Sequence, residues 1–265
     1  MISSLASIHP NATLGNNVII EPFAVIHENT TIGDDTHIMS HAVIMPHSRI
    51  GKGCKIFPGA VIGAVPQDLK FIGEETTAEI GDYTTIREYV TINRGTQDKW
   101  KTCIGSNCLL MAYSHVAHDC IIGNNVIIAN GVQLAGHVEV GDYANMGGLS
   151  GANQFTRIGA HTYIAGHTVV RKDVPPFVKA GREPMSYAGV NIVGLQRRNF
   201  TPEQIATISQ IYHILFVQKL PTSTAVGMIE EQIGDGELKT LILNFVKESK
   251  IGIIKRSSKN EGDAD

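Results

Sequence analysis

Aliphatic residues recur at every sixth position along the first two-thirds of the chain. The series runs from Ile8 to Ile62, resumes at Ile80 and continues to Val170, with Ile, Leu or Val at most steps. A second column, four residues after each aliphatic position, holds small or β-branched residues such as Ala24 and Cys54. A period of six is neither helical nor a plain strand alternation. It predicts three short strands per turn around a triangular core, with coils stacked as parallel strands.

Charged residues break this series at two places. Asp68 and Glu74 mark the first interruption and Asp98 marks the second. The aliphatic positions return in phase after both. We therefore expect two loops that bulge from a continuous coil.

The repeat fades after residues 175–176, and a different pattern follows. Thr201 is a suitable N-cap, followed by Pro202 at the first helical position and Gln204 at the third. Further helices are predicted from residue 221 to about 233 and from 237 to about 248. We expect residues 1–186 to form the β-helix. An extended connector, the C-terminal helices and a polar, disordered tail (255–265) are expected over residues 187–265.

The composition argues against a nucleic-acid-binding, secreted or membrane-spanning protein. The net charge is −3, which gives no basic surface for nucleic acid. The first residues resemble no signal peptide, and no apolar run is long enough to span a membrane. Cys54, Cys108 and Cys120 fall in the small inward column, so we interpret them as core residues. The cysteines lack metal-type spacing, and we expect reduced thiols and a cytoplasmic location.

Polar residues cluster most densely at 113–119. A step of one coil, eighteen residues, places Gly136 beside His118 and His137 beside Asp119. A neutral imidazole with a carboxylate and a glycine N–H can deprotonate a hydroxyl and bind an oxyanion. The alternative is that outward histidines only line a subunit interface.

Three other features are candidates for ligand binding. The loop at residues 66–71 carries Asp68 and Lys70, and Arg197 with Arg198 could pair with phosphates. A solvated charge pair and a solubilising arginine pair are the alternatives. Gly148 and Gly166 also stack one coil apart, which leaves space for a chain-like ligand, although simple turn glycines fit equally well.

The motifs IGAVPQDLKF, REYVTINRGT, SHVAHDC, LAGHVEVGDYA, DVPPFVKA and GVNIVGLQRR resemble the UDP-N-acetylglucosamine 3-O-acyltransferases of lipid A biosynthesis. The resemblance covers essentially the whole chain. It implies a mainly β protein, a left-handed parallel β-helix followed by a small α-helical C-terminal domain. It also implies a homotrimer with sites between subunits. The reaction would move an (R)-3-hydroxyacyl group from acyl carrier protein to the 3-hydroxyl of UDP-N-acetylglucosamine, without metal or cofactor.

The resemblance also assigns roles to residues. His118 is similar to the family's general base, Asp119 to its supporting carboxylate and Gly136 to the oxyanion-binding residue. Gly166 falls where the family sets acyl-chain length, and glycine implies room for roughly fourteen carbons or more. The residues that match or adjoin substrate-binding positions are Gln67, Asp68, Lys70, His115, His137, Gln154, Asn191, Arg197 and Arg198. Asn93, Asn153 and Val193 depart from residues that some members carry.

Three rival interpretations remain open from the sequence. The N-acyltransferase of the same pathway shares the coil but carries an extra N-terminal domain, whereas the repeat here begins by Ile8. A γ-type carbonic anhydrase would need three imidazoles around zinc. A non-catalytic β-helix would present flat threonine ladders, and the outer faces here are mixed.

Overall fold

Three sheets, whose strands are parallel throughout the coil, form the walls of a triangular β-helix. The computed structural model describes residues 1–256. The first sheet contains strands Ser7–Ile8, Val25–Ile26, Val43–Ile44, Val61–Ala64, Thr91–Asn93, His115–Val116, Gln133–Leu134, Gly151–Ala152 and Val169–Val170. The second contains Thr13–Leu14, Thr31–Ile32, Ser48–Ile50, Thr77–Ile80, Lys101–Ile104, Ile121–Ile122, Glu139–Val140 and Arg157–Ile158. The third contains Ile19–Ile20, His37–Ile38, Lys55–Ile56, Thr85–Ile86, Leu109–Leu110, Ile127–Ile128, Asn145–Met146, Tyr163–Ile164, Val178–Gly181, Ser186–Val190 and Lys255–Arg256.

The pairing register confirms the predicted coil, which is a left-handed parallel β-helix. Val116 pairs with Leu134, one eighteen-residue turn away. At the two loops the step lengthens, because Ile62 pairs with Ile92 and Ile92 with Val116. These steps of thirty and twenty-four residues exceed one turn by multiples of six. The inward columns therefore keep their phase across both loops.

Both predicted columns fill the interior. The aliphatic positions from Ile20 to Val170 are buried, and Cys54, Cys108 and Cys120 are buried free thiols between them. Burial raises the pKa of Cys54 to about 11 and that of Cys120 to about 12. These thiols stay protonated at neutral pH, which agrees with a packing role.

The corners of the coil use left-handed backbone. At most corners, the residue before each small inward position has a positive φ, as in Asp119 at 60° and His137 at 63°. Few residues other than glycine adopt this conformation without cost. Here it recurs because each corner must turn the chain between two-residue strands.

The C-terminal part begins with a hairpin on the last coil. Strand Val178–Gly181 pairs with Ser186–Val190 in antiparallel orientation. Helices α1 (Ile192–Gln196), α2 (Pro202–Tyr212), α3 (Thr222–Gln232) and α4 (Glu237–Lys247) follow, and α2 continues as a π-helical segment, His213–Val217.

The predicted helices are confirmed, and two details of the prediction are wrong. Thr201 and Gln204 form a capping box at the start of α2. The connector is not wholly extended, because it contains α1. Lys255–Arg256, expected in the disordered tail, form a strand beside Ser186–Tyr187. The rest of that tail, 257–265, lies outside the described residues. Within residues 1–256 no helix is long and apolar enough to cross a bilayer.

Candidate active site

The two loops, residues 65–76 and 94–100, meet over one corner of the coil. They are joined by hydrogen bonds from the Thr76 hydroxyl to the Gly95 carbonyl and from the Gln97 N–H to the Glu74 carboxylate. His118 lies at this corner and is buried, although its position in the repeat faces outward. His118 lies outside the two inward columns, and Asp68 of the first loop approaches it to 4.0 Å.

His118 and Asp119 form a hydrogen-bonded pair. His118 Nδ1 lies 2.8 Å from Asp119 Oδ2. Desolvation would raise the pKa of Asp119, but hydrogen bonds led by those from Thr96 and His118 outweigh it, and the pKa falls below 3.8. Asp119 is therefore ionised and accepts hydrogen bonds only. It follows that His118 Nδ1 carries the proton and that Nε2 is the basic nitrogen.

Gly136 lies directly against the His118 ring, as the eighteen-residue step predicts. A Cβ atom at Gly136 would stand 2.6 Å from His118 Cε1 and 2.7 Å from Nε2. Its backbone N–H has no acceptor among residues 1–256. This corner therefore places an unpaired donor close to the basic nitrogen of His118.

His137 occupies the adjacent corner position. Its ring meets that of His118 edge-on, with centroids 5.1 Å apart, and stacks on Phe155 at 4.5 Å. His137 Nδ1 is 3.2 Å from an Asp98 carboxylate oxygen but is not aligned for a hydrogen bond. Burial lowers the pKa of His137. It is a neutral ring with an unpaired nitrogen.

His115 is half-buried on the neighbouring strand of the first sheet. Its Nδ1 lies 2.7 Å from the Thr91 hydroxyl. Burial is the main cause that lowers the pKa of His115. His115 and His137 are therefore both neutral rings near His118.

The first loop brings a carboxylate to the same place. Asp68 Oδ2 is 4.0 Å from His118 Nε2, and Asp68 also accepts a hydrogen bond from the Lys70 N–H. Gln67 and the Lys70 side chain are exposed on this loop. Gln154 is exposed one coil beyond Gly136. Of these predicted sugar-nucleotide residues, Asp68 approaches His118, and Gln67, Lys70 and Gln154 are exposed on the loop and at the corner one coil away.

A shallow groove of about 310 Å³ runs along the first sheet beside this corner. Its walls are mainly small or apolar, with His115 at one end. The lining residues are His115, Ala117, Gln133, Leu134, Ala135, Gly151, Ala152, Asn153 and Val169. Gly166 is exposed at a different corner, where a Cβ would stand 3.0 Å from the Gly148 carbonyl oxygen. The predicted stacking of these two glycines is confirmed.

The remaining predicted residues lie elsewhere in the chain. Asn191 caps α1 and donates to the His161 carbonyl. Arg198 donates to the Tyr143 carbonyl and covers the Tyr143 ring, while Arg197 is exposed beside it. These contacts are with the corner formed by Tyr143 and His161. The chain alone does not bring the arginines to His118.

Two residues that donate hydrogen bonds to the Asp119 carboxylate were missed from the sequence. Thr96 donates its backbone N–H to Oδ1 and its hydroxyl to Oδ2, and Lys99 donates its N–H to Oδ1. Both lie in the second loop, where no periodic pattern relates a position to the coil. The charge interruption at Asp98 was the only indication that this segment leaves the repeat.

His118, Asp119 and His137 are grouped closely enough to be tested as a metal site. One donor atom from each lies within 4.8 Å of the others. However, Asp119 already receives hydrogen bonds from His118, Thr96 and Lys99. The carboxylate is used as a hydrogen-bond acceptor, so these residues fit a base and its support better than a metal site.

Comparisons with known proteins agree on one family. Residues 173–254 match the family described as Udp N-acetylglucosamine O-acyltransferase, domain 2, and residues 29–64 and 104–136 match bacterial transferase hexapeptide repeats. The chain is 54% identical over 264 residues to the acyl-[acyl-carrier-protein]–UDP-N-acetylglucosamine O-acyltransferase of Sulfurihydrogenibium, covering 97% of each chain. The Aquifex aeolicus protein of the same name is 58% identical, over 75% of this chain and 76% of the relative.

Solved structures show the same relationship. The crystal structure of a UDP-N-acetylglucosamine acyltransferase from Bacteroides fragilis superposes with a TM-score of 0.95 at 49% identity. The match covers 96% of this chain and 100% of that one. The similarity therefore extends over the coil and the C-terminal helices together.

Proposed function

Because this chain belongs to the family of acyl-[acyl-carrier-protein]–UDP-N-acetylglucosamine O-acyltransferases, we propose that it acylates the 3-hydroxyl of UDP-N-acetylglucosamine. The acyl group is an (R)-3-hydroxyacyl chain delivered by acyl carrier protein, and the reaction is the first step of lipid A biosynthesis. The observation that carries the proposal is the basic Nε2 of His118 beside the unpaired N–H of Gly136. The family assignment sets aside the N-acyltransferase, carbonic anhydrase and non-catalytic interpretations.

The mechanism is a direct attack. The oxygen of the sugar 3-hydroxyl attacks the thioester carbonyl carbon, and His118 Nε2 accepts the proton of that hydroxyl. The N–H of Gly136 donates to the oxyanion of the tetrahedral intermediate. The C–S bond then breaks, and the proton passes from His118 to the departing thiolate. Asp119 stabilises the imidazolium that exists between these two steps.

The residues around His118 are suited to binding the sugar nucleotide. Asp68 Oδ2 lies 4.0 Å from the basic nitrogen of His118, and the His137 ring lies edge-on to the His118 ring. His115 is a half-buried neutral imidazole on the neighbouring strand. Lys70, Gln67 and Gln154 are exposed nearby, so they can contact the sugar or the diphosphate.

The groove along the first sheet is suited to the acyl chain. It starts at His115 and continues past Ala135 to Val169, with little polar surface. Gly166 is exposed at another corner of this end of the coil, where a Cβ would stand 3.0 Å from the Gly148 carbonyl oxygen. We therefore propose that Gly166 permits chains of roughly fourteen carbons or more.

A homotrimer is part of the proposal because large apolar groups are unpartnered in a single chain. Phe23, Tyr89, Tyr113 and Leu149 are each more than half exposed along one corner of the coil. Leu69 and Ile72 are almost fully exposed on the first loop. Exposed apolar area of this extent is typical of interfaces. A neighbouring subunit would also supply Asn191, Arg197 and Arg198. In their own chain, Asn191 and Arg198 contact a different corner of the coil.

Docking of the acidic carrier protein is proposed at the last coil. Arg171 pairs with Glu183 at 2.7 Å and Lys172 donates to the Ile251 carbonyl. Lys179 and Arg182 are exposed, and no acidic partner for them occurs within residues 1–256. Lys179 and Arg182 are therefore better able than Arg171 and Lys172 to bind acidic groups of the carrier protein. A cytoplasmic location belongs to the same proposal and agrees with four free cysteines.

A transfer assay tests the function. Purified protein is given UDP-N-acetylglucosamine and 3-hydroxyacyl carrier proteins of graded chain length, and its mass is measured by sedimentation. We expect a trimer that prefers chains of about fourteen carbons or more. His118→Ala should lose activity by at least a thousandfold and remain trimeric, whereas His9→Ala, an exposed histidine far along the coil, should behave as wild type. Full activity of H118A would refute the base.

A further inference from the structure

We propose that Thr96 is a positioning residue for the acyl transfer, holding Asp119 and, through it, the imidazole of His118. Thr96 itself touches no part of the substrate in this scheme. Its hydroxyl and backbone N–H bind the two oxygens of one buried carboxylate, which in turn binds the base. The inference rests on the proposed function, since it concerns the same site.

The loop that carries Thr96 is fixed at its base. A Cβ atom at Gly95 would lie 2.3 Å from the backbone nitrogen of Lys101, so the chain passes too closely for any side chain. The Gly95 N–H donates to the Thr77 carbonyl, and the Gly95 carbonyl accepts from the Thr76 hydroxyl. Residue 96 therefore begins from a position that has little freedom to move.

The direction of the Thr96 hydroxyl follows from its neighbours. Its oxygen accepts a hydrogen bond from the Asp98 N–H at 3.3 Å, so its own proton is free to donate. That proton points to Asp119 Oδ2, 2.7 Å away. Because ionised Asp119 has no proton to give, the hydroxyl can only donate in this contact.

Asp119 Oδ2 is shared between the loop and the base. It accepts from the Thr96 hydroxyl and from His118 Nδ1, while Oδ1 accepts from the Thr96 and Lys99 N–H groups. Donors on both oxygens fix the plane of the carboxylate. The His118 ring then has one orientation in which Nδ1 can bond, and this orientation presents Nε2 towards Asp68.

The far side of the loop is tied to the coil as well. Lys99 Nζ lies 2.9 Å from Glu139 Oε1 on the second sheet. The loop is thus anchored at Gly95 and, through the Lys99 side chain, at Glu139. Between these two points the Thr96 hydroxyl and the N–H groups of Thr96 and Lys99 point to Asp119. Catalytic groups lose rate steeply when they are misplaced by an ångström, so a loop fixed in this way has a direct effect on turnover.

Kinetics of three variants test the role. Thr96→Val removes the hydroxyl while keeping shape and backbone N–H, and we expect kcat to fall about tenfold to hundredfold with KM for UDP-N-acetylglucosamine within about twofold. Thr96→Ser restores the hydroxyl and should recover most of kcat. Thr84→Val is the matched control, because the buried Thr84 hydroxyl also donates to a carbonyl and accepts from a backbone N–H, but far from the site. It should retain wild-type kcat.

A spectroscopic measurement separates this role from general destabilisation and from failure of the proposed activity. A proton shared between His118 Nδ1 and a carboxylate gives a far-downfield NMR resonance, which H118A identifies by its loss. We expect the resonance in wild type and T96S, and broadening by exchange in T96V. Wild-type protein without the resonance would overturn the proposal even if T96V does not fold. T96V with wild-type kcat and an unchanged resonance would also overturn it, as would T96S as impaired as T96V.

Discussion

At the scale of single residues, the site depends on an atom that is missing. Gly136 has no Cβ, and the space that a Cβ would take is filled by the His118 ring. The backbone itself does not demand glycine, because Ala112 and Ala160 occupy the equivalent turn position at other corners of the coil. Gly136 is also not among the residues with positive φ. The glycine is required by the neighbouring imidazole and by access to its N–H.

Gly136→Ala should therefore damage the site through His118. The methyl group would come within 2.7 Å of Nε2, which forces the ring away from Asp119. We expect kcat/KM to fall at least a hundredfold and stability to fall by about 1–3 kcal/mol, as overpacking typically costs. Unfolding in urea measures the stability, and a double-mutant cycle identifies the cause. In an H118A background the ring is absent, so an undiminished cost of G136A would contradict this explanation.

The sequence reveals part of this residue-scale geometry. The eighteen-residue step places Gly136 against His118 and His137 near Asp119, and the structure confirms both. Thr96 and Lys99 could not be found in this way. Their contact with Asp119 depends on the path of a loop, and the repeat specifies no register for residues outside the coil.

At the scale of elements, stacked side chains connect the corners of successive coils. Tyr143, His161 and Phe177 stack at one corner with ring centroids 4.9 and 5.5 Å apart. Phe200, before α2, meets the His161 ring edge-on. This corner joins the β-helix to the C-terminal helices through aromatic contacts. His161 is the titratable member of the stack, and its Nδ1 has no hydrogen-bond partner among the described residues.

Protonation of His161 should weaken this junction. Desolvation, followed by the charge of Arg198, lowers the pKa of His161 to about 4 from 6.5. His161 therefore binds a proton more readily in the unfolded chain than in the folded protein. Its contribution to the free energy of unfolding is complete above pH 6.5 and is lost as the pH falls towards 4.

His161→Phe would keep the stack and remove the titration. Phenylalanine already occupies left-handed corners at Phe155 and Phe177, so the backbone can accept it. Between pH 7.5 and pH 5, we expect wild type to lose on the order of 1 kcal/mol more unfolding free energy than H161F, after discounting for partial solvent exposure of the ring. Urea unfolding at both pH values measures the difference. Parallel losses in the two proteins would contradict this role of His161.

The elements were predictable where a period or a cap defines them. The period of six specifies the coil because one aliphatic and one small residue must enter the core from each short strand. Thr201 and Gln204 specify the start of α2 through their reciprocal hydrogen bonds. Helix α1 was missed because it is a single short turn. Its N-cap is Asn191, and an asparagine without a helical pattern after it is equally typical of a loop. Strand Lys255–Arg256 was missed because pairing, not composition, orders it.

At the scale of the whole molecule, a stacked coil has an open end that must be covered. The strand Arg157–Ile158 is the last of the second sheet, and its outer edge would be free to pair with another chain. Val174 bridges to Ile158, and Ile253 bridges to Asp173 in turn. The chain therefore returns near its C-terminal end to close the coil that it formed earlier.

Asp173 is the residue that joins these parts. It is buried, and its carboxylate accepts from the Arg157 N–H at 2.8 Å and from the Ser249 hydroxyl at 2.7 Å. Its backbone N–H donates to the Gly252 carbonyl, and its carbonyl accepts from the Ile254 N–H. One side chain thus links the last strand of the second sheet to the segment that covers it.

Asp173→Ala should open this end of the coil. The Arg157 N–H loses its buried acceptor, so we expect the free energy of unfolding to fall by about 2–4 kcal/mol. Ser249→Ala removes only the other hydrogen bond and should cost about 1 kcal/mol. Urea unfolding gives both values, and limited proteolysis should cleave near residues 249–256 earlier in D173A than in S249A. Because an uncovered strand edge pairs with other chains, D173A should also aggregate at concentrations where S249A does not. Equal stability and equal cleavage of the two variants would show that the segment is held without Asp173, and that the end of the coil is closed by the helices instead.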